Sequence, residues 1–133
     1  MLVAYYCPEP MSAAIQKWLR RQRQPAVSDL VEVEVVSAIA RKVRDRSMSR
    51  QDARQVAMMF ASHLEDGYYT RLRVERIHYS LAVDWIGSFE IPLRTLDALH
   101  LAVSHSRGLR LATADESLAR SARAVGVSVH RVA

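Results

Sequence analysis

Cysteine is almost absent from the chain. Cys7 stands alone among 133 residues and has no internal disulfide partner, and with no secretory pattern the expected compartment is a reducing cytoplasm. Long apolar runs are missing too. Every hydrophobic window is broken by Arg, Asp, Glu or His well short of the roughly 18 residues that span a bilayer, so no membrane partner is expected. Glycine and proline are scarce, at four each, and no linker, repeat or low-complexity tract divides the chain, which reads as one domain over residues 1–133. A domain of this length buries about two-thirds of its unfolded surface. Four chemistries are excluded by the absence of their motifs: the GxxxxGK[ST] phosphate loop, GxGxxG, the HExxH helix and paired Cys/His zinc ligands. The five histidines are scattered, and His100 and His105 lie five apart, a spacing that does not stack ligands on one helical turn.

What the chain has in excess is positive charge. Nineteen basic residues, almost all arginine, face fourteen acidic ones for a net +5, which suits bidentate contacts to phosphate or carboxylate. Charge of this size speaks to polyanion binding and says nothing about reaction. The runs Arg20-Arg21-Arg23 and Arg41-Lys42-Arg44-Arg46 form either an RNA path or solvated helix faces.

Helical periodicity alternates with short β-branched runs, and each of Gly67, Gly87, Gly108 and Gly126 sits where a segment would end. Helices are expected over Met11–Gln22, Leu30–Asp45, Ser49–Glu65, His78–Trp85, Leu96–Ser106 and Glu116–Val125. Strands are expected over Pro25–Val27, Tyr69–Val74, Leu109–Ala112 and Val127–Val132. Asp29 and Glu32 resemble a capping box, and Met59 reads as core filler beside Val56, Phe60 and Leu64. Tyr5, Tyr6, Trp18 and Trp85 read as core or partner-facing residues. Strands joined by helices imply an α/β fold, a parallel sheet covered on both faces.

Open parallel sheets form their binding crevice beyond the carboxyl ends of the strands, and three carboxylates fall there. Asp115 follows the strand ending at Ala112, Asp97 opens a helix, and Glu34 lies one turn into the helix after Val27. Carboxylates brought together repel, so a cluster needs protons or a cation, and hard oxygen donors select Mg²⁺ or Mn²⁺. Such an ion supports phosphodiester hydrolysis. Singly, each acid has a plainer reading: Asp97 complements a helix dipole, Thr113 and Glu116 make a capping box, and Asp115 is an N-cap. Glu34, flanked by Val33, Val35 and Val36, is either exposed at the helix edge or costly to bury unpartnered.

Leu93-Arg94-Thr95-Leu96-Asp97-Ala98-Leu99-His100-Leu101-Ala102 and Leu111-Ala112-Thr113-Ala114-Asp115-Glu116-Ser117-Leu118-Ala119 together resemble the C-terminal signature of PIN domains. The match is nearest to the VapC-type toxins of VapBC toxin–antitoxin pairs. Ser28 to Lys42 resembles the family's second acidic motif, and the order and spacing of the motifs agree over nearly the whole chain. The resemblance implies a three-layer sandwich with a five-stranded parallel sheet between helices, a Mg²⁺ or Mn²⁺ site, and endoribonuclease activity, often on transfer or ribosomal RNA. It also implies a cognate antitoxin that blocks the activity, and it is compatible with a homodimer. By position Glu34, Asp97 and Asp115 match three of the family's four acidic metal-site residues and Thr113 their hydroxyl neighbour. Arg94 is a candidate phosphate contact and Glu116 a supporting acid.

In the family a first strand carrying Asp then Thr or Ser precedes a helix like Leu2-Val3-Ala4-Tyr5-Tyr6, and no acidic residue here precedes Glu9. The expectation is that the native start lies upstream of Met1. The alternative is a PIN-derived RNA- or antitoxin-binding module without catalysis, and a purely structural subunit is a third reading.

Overall fold

The computed structural model describes residues 1–132. They fall into two compact units, Met1–Leu72 and the chain from Arg73 onward. No helix among the described residues is long and apolar enough to cross a membrane.

The first unit runs α1 (Val3–Tyr6), α2 (Ser12–Leu19), β1 (Ala26–Ser28), α3 (Asp29–Arg44), α4 (Arg50–Glu65) and β2 (Thr70–Leu72). Strands β1 and β2 pair in parallel, with Val27 opposite Arg71. The core joins Leu19, Val27, Val35, Ile39, Phe60, Leu64 and Tyr69, with Tyr5, Tyr6 and Trp18 packed against it. Val35 and Ile39 are i and i+4 on α3, so one stripe of that helix is apolar and inward. Ser49 starts α4 as expected of an N-cap, its Oγ accepting the Asp52 N–H at 3.0 Å.

Two local expectations fail in this unit. Met59 is 54 % exposed, because α4 turns Ala53, Phe60 and Leu64 inward and leaves the other side to solvent. The Asp29–Glu32 capping box does not form. Ser28 is the N-cap of α3, and its Oγ is buried without a hydrogen-bond partner, while Glu32 reaches across to Arg71 Nη2 at 2.6 Å.

Near the start of the unit, Tyr6 Oη bonds both Tyr69 Oη at 2.6 Å and His63 Nδ1 at 2.8 Å. Burial first, then the Tyr69 hydroxyl, pushes the Tyr6 phenol well above its ordinary range. Burial likewise raises the Cys7 thiol, and Lys42, 2.8 Å from Glu9, only partly opposes this. The cysteine is buried and forms no disulfide.

The second unit runs α5 (Arg76–Gly87), α6 (Thr95–Arg107), β3 (Leu111–Thr113), α7 (Glu116–Ala124) and β4 (Val129–Arg131). Strands β3 and β4 are parallel, with Thr113 opposite Arg131. Alanines keep α6 slim where it is most enclosed: Ala98 and Ala102 are fully buried, as is Leu101, which packs with Ala122 and Val127. Gly108 ends α6 in the left-handed conformation expected of its type.

His78 lies at the N-terminal end of α5, 1 % exposed. Its Nδ1 accepts the Glu75 N–H at 2.8 Å, so the ring carries its proton on Nε2, which donates to Ser106 Oγ at 2.7 Å. The buried imidazole thus tethers α5 to α6.

The expected mixed α/β architecture with parallel strand pairing is present. The described strands form two two-stranded sheets, β1 with β2 and β3 with β4, rather than the one sheet of five that the resemblance implied.

Candidate functional site

Asp97 lies in the first turn of α6, where a negative side chain complements the helix dipole, and is half-buried beside the fully buried Ala98. Asp115 is the N-cap of α7. Its Oδ1 accepts the Leu118 N–H at 3.0 Å, and its own N–H donates to Thr113 Oγ1 at 3.0 Å. Thr113 is buried at the carboxyl end of β3. The hydroxyl therefore holds the turn from strand to helix that presents Asp115. The Thr113–Glu116 capping box is replaced by this arrangement, because Asp115 already supplies the cap. Its carboxylate is exposed, and Oδ2 accepts no hydrogen bond among the described residues.

Glu116 takes the first helical position of α7 and pairs with Arg131, Oε2 to Nη1 at 2.5 Å. Arg131 was not foreseen from sequence. Its only signal was a basic residue ending a final strand, and the pairing spans 15 positions. The first unit repeats the device, with Glu32 in the first turn of α3 held by Arg71 of the parallel neighbour strand. Arg94, the N-cap of α6, is exposed.

Glu34 belongs to the first unit and is half-buried on α3 beside the buried Val35. Its other neighbours, Val33 and Val36, are 69 % and 48 % exposed. Glu34 thus lies at the edge of the apolar face, as its position on the helix leads one to expect: successive helical residues point about 100° apart, so of its three valine neighbours Val35 alone turns inward.

Within either unit, no group of three or more His, Cys, Asp or Glu among the described residues is gathered to hold a metal. The second unit supplies two of the expected acids, Asp97 and Asp115, and the first supplies Glu34. Each of these residues is a carboxylate, the hard oxygen donor that divalent cations such as Mg²⁺ and Mn²⁺ prefer.

Comparison with known proteins agrees with the motifs. The family model for the PIN domain matches residues 1–124. The chain is 32 % identical over 124 residues to Ribonuclease VapC46 of Mycobacterium tuberculosis (strain ATCC 25618 / H37Rv), a match covering 91 % of this chain and 84 % of that protein. No solved structure gives a significant match. On the family model and on this relative, the chain belongs to the PIN-domain family.

Proposed function

We propose that residues 1–133 act as a single PIN domain and that the protein is a metal-dependent endoribonuclease toxin of VapC type, cytoplasmic and neutralised by a cognate antitoxin. The observation that carries the reading is Asp115, presented by buried Thr113 at the carboxyl end of a parallel strand, with Asp97 opening α6 in the same unit. A family relative that is a ribonuclease supports it. Glu34, Asp97 and Asp115 would hold Mg²⁺ or Mn²⁺. A bound divalent cation stabilises charge developing on a phosphodiester and acidifies water. Thr113 fixes the approach of Asp115, Glu116 supports the site through Arg131, and Arg94 contributes positive charge for phosphate. The substrate is RNA, with transfer or ribosomal RNA as the expected targets.

The test combines Mn²⁺ titration with RNA cleavage on purified protein. Wild type is expected to bind Mn²⁺ and cleave. Asp97→Asn and Asp115→Asn should lose both while keeping their thermal transitions. Cleavage unchanged in these variants would remove the site assignment. Mn²⁺ and RNA binding without cleavage by the wild type would favour the non-catalytic module.

A further inference from the structure

Helix α5 ends against the usual order of residue types. Its last helical residue is Gly87, Ser88 follows with φ −69°, and Phe89 then takes the left-handed position with φ 57°, its N–H bonded to Ile86 O at 3.1 Å. That position normally falls to glycine, as it does at Gly67, Gly108 and Gly126. A bulky residue held there is strained. Burial does not offset the strain, because Phe89 is 93 % exposed. Two local rules are thus broken at one residue, and sites of this kind cluster where function overrides stability.

The residues after Phe89 form one wall of a groove of about 260 Å³, with Glu90, Ile91 and Pro92 facing Ser117, Arg120 and Ser121 of α7. Ser121 Oγ lies 3.5 Å from Pro92 O between the walls. The volume falls below the roughly 300–1,000 Å³ of drug-sized ligand sites and suits one planar ring system. The groove belongs to the unit that carries two of the proposed acids, and along the chain Ser117 is two residues beyond Asp115 and Pro92 five before Asp97. Carboxylate, guanidinium and hydroxyl groups suit the edge of a nucleobase, an exposed ring suits its face, and Arg94 and Arg120 suit the adjoining phosphates.

We infer that the groove between residues 90–92 and α7, together with the exposed Phe89 that immediately precedes its first wall, is a base-binding subsite for single-stranded RNA, in which Phe89 stacks on a base and so helps determine where the strand is held. The inference rests on the ribonuclease reading.

It is tested with the full chain and a fluorescein-labelled, mixed-sequence ten-nucleotide RNA, by anisotropy in EDTA at low salt, so that binding is read without cleavage. Phe89→Ala and Phe89→Gly should weaken binding by about tenfold, the scale of one base–aromatic stack, and Phe89→Trp should retain it. Phe89→Gly should also melt at a higher temperature than wild type, since glycine accepts the left-handed position. Wild-type binding that Phe89→Ala and Phe89→Gly leave unchanged would overturn the subsite and leave the ribonuclease reading standing, including where those variants instead alter self-association. Failure of the wild type to bind the RNA would overturn the subsite, while the ribonuclease reading stands or falls on cleavage with Mn²⁺.

Discussion

The backbone N–H of Leu118 donates to Asp115 Oδ1 at 3.0 Å, so one carboxylate closes the first turn of α7 and also stands as a proposed metal ligand. Substitution can separate the two roles. Asparagine caps as well as aspartate, whereas alanine in place of a capping residue costs about 1 kcal/mol. Asp115→Asn should therefore unfold in urea at the wild-type midpoint with Mn²⁺ affinity lost, and Asp115→Ala should lose both affinity and about 1 kcal/mol. Equal destabilisation by the two variants would show that the cap is not what Asp115 contributes to stability.

The ion pair between Glu116 and Arg131 is short but partly solvated, with side chains 61 % and 31 % exposed. Exposed pairs contribute about 0.2–1 kcal/mol and are screened by salt. Glu116→Gln should cost less than about 1 kcal/mol in urea unfolding at low salt, and the difference should shrink in 1 M NaCl. The exchanged pair Glu116→Arg with Arg131→Glu should recover most of the loss.

Alkaline pH should expose the Tyr6–Tyr69 bond. Both phenols have raised pKa values in the folded chain, burial being the largest cause in each. The folded state therefore keeps its phenolic protons after the unfolded chain begins to release them near pH 10. Their contribution is complete below that pH and falls as pH rises above it. Tyr6→Phe should cost about 1 kcal/mol at pH 7 from lost hydrogen bonds and flatten the decline between pH 9 and 11. Urea unfolding at each pH, with phenolate absorbance at 295 nm, measures both effects.

His78 tethers α5 to α6 from a fully enclosed position. His78→Ala removes a buried side chain and strands the Glu75 N–H, a combined cost of about 2–4 kcal/mol. Ser106→Ala removes one partner and should cost about 1 kcal/mol. A double-mutant cycle should return a coupling above about 0.5 kcal/mol, as expected for side chains in contact. Strict additivity would mean the contact contributes nothing.

Much of this fold is legible in the chain because periodicity and glycine placement act locally. All four strands and the helices between them fall within a few residues of their expected bounds, and Asp115 sits at the predicted turn. What escapes depends on tertiary partners. Met59 has the spacing of a core residue, but nothing in the sequence says which side of α4 is covered. The cap at Asp115 depends on which neighbouring group the Leu118 N–H meets first, a competition among adjacent polar residues. Arg71 and Arg131 were invisible because their acids lie 39 and 15 positions away. The left-handed Phe89 could not be read at all, since Gly87 stood nearby as the more natural helix end.

The two parallel strand pairs also differ in how far apart their members lie along the chain. Leu111 meets Val129, eighteen positions on, whereas Ala26 meets Thr70, forty-four positions on. Loop-closure entropy grows as the logarithm of that separation, so the later pair forms at a cost lower by about 0.8 kcal/mol, with only α7 to settle between its strands. On this loop-closure difference alone, the β3–α7–β4 segment, which carries the turn that presents Asp115, is expected to close before β1 meets β2 in refolding.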